Sequence, residues 1–214
     1  MFFWSTFAAR MKQTALKILN LAKEKFMRYG IRSVSMDDIA RDLGMSKKTL
    51  YEHFRTKQGL VETISLKFIE VDKQEISRIS NNSDNALDEI VQVAAYVIQM
   101  LRKVPEIALY DMKKYYHGCW SHFDRFHKEF IYNTIYANIE RGKKEGLYRA
   151  DADAEILARL YVGKSILITD QDMFLMYQYA KADLFRQLIL YHIHGLASEK
   201  GLMQLEKYLE QQKL

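Results

Sequence analysis

The side chains best suited to chemistry in this sequence are cationic and hydroxylic, and they cluster in the run Ser46-Lys47-Lys48-Thr49-Leu50-Tyr51-Glu52-His53-Phe54, followed by Lys57. Lysine ammonium groups, serine and threonine hydroxyls and a tyrosine bind phosphate oxygens and base edges; they form no bond-breaking constellation here. The histidines do not supply one either. His117, His122 and His127 recur every five residues, which spreads them around a helix, and His192 and His194 lie two apart. Neither spacing stacks imidazoles on one helix face as a zinc site requires. Cys119, the one cysteine, lies between His117 and His122. A redox or metal sensor would use such a thiol, but it reads first as a buried structural side chain. There is no glycine-rich phosphate loop and no nucleophile motif, so catalysis is disfavoured, and no cofactor and no metal is expected.

The elements that must present the cationic run follow from its neighbours. Ile18, Leu19, Ala22 and Phe26 fall at helical spacing between Lys12 and Tyr29, and Gly30 stands where a helix ends in the left-handed cap. Ser35-Met36-Asp37-Asp38 puts a hydroxyl cap three residues before an acid at the positive end of a helix dipole. Met36, Ile39, Ala40 and Leu43 give that second helix an apolar face. Gly44-Met45 then interrupts, and Ser46 caps a third helix. There Leu50 and Phe54 turn inward, while Lys48, Thr49, Tyr51 and Glu52 turn outward. Ala40 is small where the two helices cross, Gly44 permits the tight turn, and Leu50 anchors the second helix. Together these make a helix-turn-helix over residues 35–54. The N-terminal end of its second helix is the part that meets bases and phosphates.

Composition sets the frame around this motif. In 214 residues, 9 Gly and 1 Pro supply too little turn chemistry for a many-stranded fold, so an all-α chain is expected. A lone cysteine fits a reducing compartment, and a cytoplasmic location is expected. The net charge of +5 is uneven. Residues 1–60 hold 12 Lys/Arg and 5 Asp/Glu, net +7, and the remainder is net −2. That is a polyanion-binding head on a near-neutral body. No stretch approaches the roughly 18 uncharged apolar residues needed to span a bilayer, so no membrane partner is expected. Residues 1–11 read as a tail, disordered or packed in a dimer. They are apolar at first but lack the basic n-region of a secretory signal, and the helical pattern runs uninterrupted only from Met11, which leaves that residue as an alternative start.

Ile18-Leu19-Asn20 through Phe26, Gly30, Ser35 through Ala40, Leu43 through Phe54, and Lys57 resemble the DNA-binding domain of TetR-family transcriptional regulators over residues 12–72. The resemblance implies that Lys47, Lys48 and Thr49 approach base edges, the lysines suited to guanine acceptors and the Thr49 methyl to thymine. It implies phosphate contacts from Tyr51, His53 and Lys57, and from the helix N-termini at Ser35 and Ser46. Family members often carry an aromatic residue where His53 stands. Glu52 is expected to face solvent or pair with Lys48, the sharper alternative being a cytosine amino group. The resemblance further implies a homodimer reading a pseudo-palindromic double-stranded DNA operator, with half-sites about one DNA turn apart.

Beyond residue 72 the likeness is one of helix pattern and length. A long helix from Lys57 carries Leu60, Val61, Ile64, Phe68, Val71 and Ile76 to about Ser80, and in the family it couples ligand binding to the spacing of the recognition helices. The break Asn81-Asn82-Ser83-Asp84 precedes a helix over Ala86 to Arg102 that Ser83 or Asp84 would cap. Pro105 would open the next at its first helical position. Aromatic residues crowd 105–145, and Tyr96, Met100, Tyr116, Trp120, Phe123 and Phe126 are the expected lining of a pocket for an apolar or aromatic effector, the alternative being filled core. Asp153 would cap a helix to about Thr169, Asp170-Gln171-Asp172 is polar, a last long helix spans Ala182 to Ser198, and Gly201 precedes a short terminal one. Family dimers form through a four-helix bundle of the last two long helices. Tyr161, Ile168, Leu188, Tyr191 and Gly195 are therefore the expected dimer interface. The whole reads as an all-α protein of about nine helices plus a short terminal one, with an N-terminal three-helix DNA-binding domain and a C-terminal ligand-binding and dimerisation domain over 73–214. Its expected function is repression released by an unknown small molecule. The rival readings are a DNA-binding protein of the same fold that recruits a protein partner without any ligand and, more weakly, an enzyme with a fused DNA-binding domain.

Overall fold

The computed structural model describes residues 2–168 and 179–212, with side chains over 12–168 and 179–211. Among these residues the order is α1 Phe2–Tyr29, α2 Met36–Asp42, α3 Lys47–His53, α4 Lys57–Asn82, α5 Ala86–Lys103, α6 Glu106–Tyr115, α7 His117–Arg125, a π-helical segment Phe126–Ile131, α8 Tyr132–Lys144, α9 Ala154–Leu167, α10 Lys181–Leu196 and α11 Glu199–Gln212. The all-α expectation stands. No helix of the described residues is long and apolar enough to cross a membrane.

The chain divides into two compact units, Met1–Ile69 with Val104–His122, and Glu70–Lys103 with Phe123–Leu214. The first therefore includes α6, which a contiguous boundary after residue 72 assigns to the other side. Its core joins Ile18, Ala22 and Phe26 of α1, Ile39 of α2, Leu50 of α3, Leu60 and Val61 of α4, and Cys119 of α7. The Cys119 thiol is a core side chain, and burial pushes its pKa up. Helix α1 starts at Phe2 and not at Lys12. Residues 2–11 contain neither Gly nor Pro, so nothing in the backbone stops the helix from extending upstream.

In the second unit Leu87, Ile90, Val91, Ala94 and Ile98 of α5 pack with Ile135 and Ile139 of α8, Ala158 and Tyr161 of α9, Ile189 and Ile193 of α10 and Leu205 of α11. Helix α5 is capped by Asn85, whose side-chain oxygen accepts from the backbone N–H groups of Leu87 and Asp88 at 3.0 Å, and not by Ser83 or Asp84. Pro105 is the residue before α6, with extended backbone, and not its first helical residue. Asp153 does cap α9, accepting from the Ile156 N–H at 3.0 Å. Gly201 lies inside α11, where any Cβ would run into the Leu147 carbonyl, so it marks a close approach of backbones and not a helix end. Thr169 and the polar segment Asp170-Gln171-Asp172 lie outside the described residues.

Candidate nucleic-acid interface

Helices α2 and α3 are short, and their ends decide their geometry. The Ser35 hydroxyl accepts from the Asp38 N–H at 3.1 Å, while the Asp38 carboxylate accepts from the Ser35 N–H at 3.0 Å and from the Ser35 hydroxyl at 2.6 Å. This reciprocal box satisfies two otherwise orphan donors. It also holds the Asp38 carboxyl down to about 2, the Ser35 bonds being the largest cause and Arg41 adding to them. At the other end the Gly44 N–H donates to Arg41 O and the Met45 N–H to Ala40 O, both at 3.0 Å, with Gly44 at φ +62°. That left-handed residue turns the chain back into Ser46, whose hydroxyl accepts from the Thr49 N–H at 3.1 Å and starts α3. Leu50 is fully buried, and Phe54 packs on the same core. With that side of α3 fixed inward, Ser46, Lys47, Lys48, Tyr51 and Glu52 are exposed, and Thr49 and His53 are half-buried.

The expected contact residues differ in how free they are. Lys47 is ion-paired at 2.5 Å to Asp37 of α2, which raises its pKa and ties the N-termini of the two helices together. The Thr49 hydroxyl shares a hydrogen bond with Ser46 at 2.9 Å, so its methyl is the unengaged part. The Ser35 hydroxyl is occupied within the capping box, beside a carboxylate. Lys57, at the start of α4, donates to the Arg32 carbonyl at 3.2 Å, and its ammonium lies 5.9 Å from the Phe26 ring centre. Burial lowers its pKa, partly offset by Asp111 and Asp38. Glu52 forms no ion pair with Lys48 among the described residues, in keeping with an acid facing solvent.

A second set of residues, not anticipated from the sequence, steadies the loop between α1 and α2. The buried carboxylate of Asp111, on α6, accepts from the Arg32 N–H at 2.7 Å. The Arg32 guanidinium donates to the Tyr115 hydroxyl at 2.6 Å and lies 4.7 Å from that ring's centre. Gly30, at φ +83°, lets Asp111 and Ile107 close against the backbone. These partners lie some eighty residues downstream in sequence, and no local pattern announces them.

The expected pocket residues are distributed over both units. Tyr116 packs on the first unit's core and Trp120 carries the Lys113 ammonium 5.8 Å from its ring centre. Tyr96, Met100, Phe123 and Phe126 belong to the second unit. Of the expected dimer residues, Tyr161 and Ile168 are buried in the chain's own core, and Leu188 packs half-buried against it. Tyr191 and Gly195 of α10 are exposed. On α9 Glu155, Ile156, Arg159, Leu160, Gly163 and Leu167 are exposed, and Ile156, Leu160, Gly163 and Leu167 recur one per turn along a single stripe.

Comparison with known proteins agrees with this arrangement. Residues 18–64 match the family model described as bacterial regulatory proteins, tetR family. The chain is 26% identical over 169 residues to YvaF, an HTH-type transcriptional regulator of Bacillus subtilis, covering 78% of this chain and 88% of that protein. A transcriptional regulator from Cytophaga hutchinsonii superposes with a TM-score of 0.71 at 19% identity, over 85% of this chain and 97% of the other. A regulator from Saccharomonospora viridis, solved in complex with choline, has a TM-score of 0.65 at 18% identity, over 88% and 100% of the two chains. These similar proteins are transcriptional regulators. A capped helix-turn-helix lies at the position of the family match, and the helices that follow superpose on regulators of this kind over nearly their full length, so the chain is similar to the tetR-family regulators in its helix-turn-helix and in its fold.

Proposed function

We propose that the protein is a homodimeric repressor that binds a pseudo-palindromic operator through α3 and releases it when a small molecule occupies the second unit. The observation that carries the DNA-binding part is the exposed face of α3 from Ser46 to Tyr51, held outward by the buried Leu50. Lys48 and Thr49 read base edges there, and Tyr51, His53 and Lys57 hold phosphates. Ser46 offers phosphate a helix N-terminus, and Ser35, whose own hydroxyl is occupied, offers only the backbone of its helix end.

The dimer reading is supported by the α9 and α10 surfaces. Ile156 is 56% exposed and Tyr191 69% exposed, large apolar areas that a monomer leaves in water. Gly163 and Gly195 have no atom within 4 Å of an added Cβ, so nothing in the protomer requires glycine at either place. A mid-helix glycine costs about 1 kcal/mol relative to alanine, and a close helix crossing with a second copy repays that cost. Ligand release is supported by the choline-bound relative and by the aromatic content of the second unit. Operator DNA from the flanking genome, followed by fluorescence anisotropy with and without candidate compounds, tests the reading. Binding that is specific, salt-dependent and reversed by a compound is the expected result. A compound that binds the second unit and leaves operator affinity unchanged rejects the release mechanism.

A further inference from the structure

Helix α4 places Asp72, Ile76 and Ser80 four residues apart, along one face. That face is turned inward: Asp72 is only 5% exposed and Ile76 2%. Among the described residues the Asp72 carboxylate receives one hydrogen bond, from the Tyr96 hydroxyl of α5 at 2.5 Å. Among the described residues no basic group is seen to compensate it. Neighbouring Lys73 lies with its ammonium 5.8 Å from the Phe130 ring centre, and Arg78 is engaged in two bonds to Glu75. Two turns further on, the Ser80 hydroxyl is buried with no hydrogen-bond partner among the described residues. Burial pushes the Asp72 carboxyl above its ordinary range and the Tyr96 hydroxyl well above its own.

A buried carboxylate served by a single hydroxyl is a poor way to stabilise a fold, because an apolar side chain would fill the same space without the desolvation cost. Such a group makes sense as the counter-charge of something that comes and goes. The surrounding chemistry fits a cation. The Tyr96 ring accompanies the carboxylate, and the Phe130 ring that meets α4 through Lys73 is stacked on Phe126 at 5.5 Å and 14°. Both aromatics belong to the π-helical segment Phe126–Ile131, a backbone irregularity of the kind found at binding sites. A desolvated carboxylate favours a cation over a neutral molecule of the same shape, and aromatic rings in the same unit suit one that is bulky and weakly hydrated.

We propose that the effector of this chain is an organic cation and that Asp72, held by Tyr96 on the inner face of α4, is its counter-charge. The proposal rests on the ligand-release reading above and narrows it to a chemical class. Benzyltrimethylammonium and tetraethylammonium serve as probes, with neopentylbenzene as the neutral counterpart of the first. Thermal shift and operator anisotropy are followed for the full chain and for Asp72→Asn, which keeps an acceptor for the Tyr96 hydroxyl and removes the charge. The expected result is that a cation raises the melting temperature of the wild type and neopentylbenzene does not. Asp72→Asn should raise the melting temperature of the free protein and weaken cation binding about tenfold or more. Failure of both cations to bind, or equal binding of the neutral compound, overturns the proposal on the wild type alone. A variant that is less stable yet still binds the cation assigns Asp72 a structural role and also overturns it. A neutral compound that releases operator while neither cation binds sinks the cation class and leaves ligand release standing. A cation that binds through Asp72 without changing operator affinity confirms the site and rejects the release.

Discussion

Thr49 and Lys57 stand at two ends of the proposed DNA-binding surface and differ in what they can read. The Thr49 hydroxyl is bound to Ser46, which leaves a methyl group, and a methyl discriminates between bases through the thymine methyl. The Lys57 ammonium is a point charge anchored on the Arg32 carbonyl, suited to a phosphate that every sequence presents. Lys57→Ala should therefore weaken binding to operator and random DNA alike and lower the salt slope by about one unit. Thr49→Ala should relax the preference for operator and leave the slope unchanged. Salt titrations on both DNAs check this, and equal losses on both for both variants would contradict the assignment.

At the scale of the element, α2 has seven residues and too few internal hydrogen bonds to persist alone, so its caps are a large part of its stability. The Asp38 carboxyl lies at about 2 against an ordinary 3.8, because its charged form is the acceptor for Ser35. A carboxylate whose folded pKa is depressed stabilises at pH above the unfolded value, and that contribution is lost as pH falls through the folded one. The α2 cap should accordingly weaken between about pH 4 and pH 2. Ser35→Ala should move the Asp38 titration, followed by NMR, back toward 3.8. The lost cap should also cost about 1 kcal/mol of stability at neutral pH. An Asp38 titration that stays near 2 in the variant would show that Arg41 holds the charge instead.

The whole molecule adds two properties that no single element has. One is the exposed apolar stripe of Ile156, Leu160, Gly163 and Leu167 beside Tyr191, with the Lys164 ammonium 4.7 Å from the Tyr191 ring centre. Leu160→Glu should yield a monomer by sedimentation with unchanged helix content, and lower operator affinity about a hundredfold by removing the second half-site. A variant that stays dimeric with full affinity would move the interface elsewhere. The other property is sensitivity to acid. His192 sits 4.9 Å from the Tyr161 ring, centre to centre, and burial, with Lys164 adding, holds its pKa down to about 4 from 6.5. Burial lowers His127 in the same direction. The unfolded chain binds these protons more readily, so stability should fall as pH drops from about 6.5 to about 4, by at most about 3 kcal/mol for His192. His192→Gln should flatten that part of the melting-temperature profile.

The helix-turn-helix was legible in the sequence because everything that shapes it is local. Ser35 with Asp38, Gly44 with Arg41, Met45 with Ala40, and Ser46 with Thr49 are pairs within one helical turn or little more, and the residue types around them show the turn and the caps. The scarcity of Gly and Pro likewise showed an all-helical chain. What sequence could not decide was which side of an apolar helix faces inward. Helix α9 and its C-cap carry Leu157, Tyr161 and Ile168 toward the chain's own core and Ile156, Leu160 and Leu167 outward, and both sets are apolar, so sequence alone does not separate core from surface here. Asp72 and Tyr96, which meet in the folded chain, are 24 residues apart in sequence. Asp111 and Arg32 are 79 residues apart in sequence. Caps and turns are short-range interactions, written residue by residue into the chain. Burial and partnership between distant residues depend on which surfaces the folded chain brings together, and the tertiary structure alone settles that.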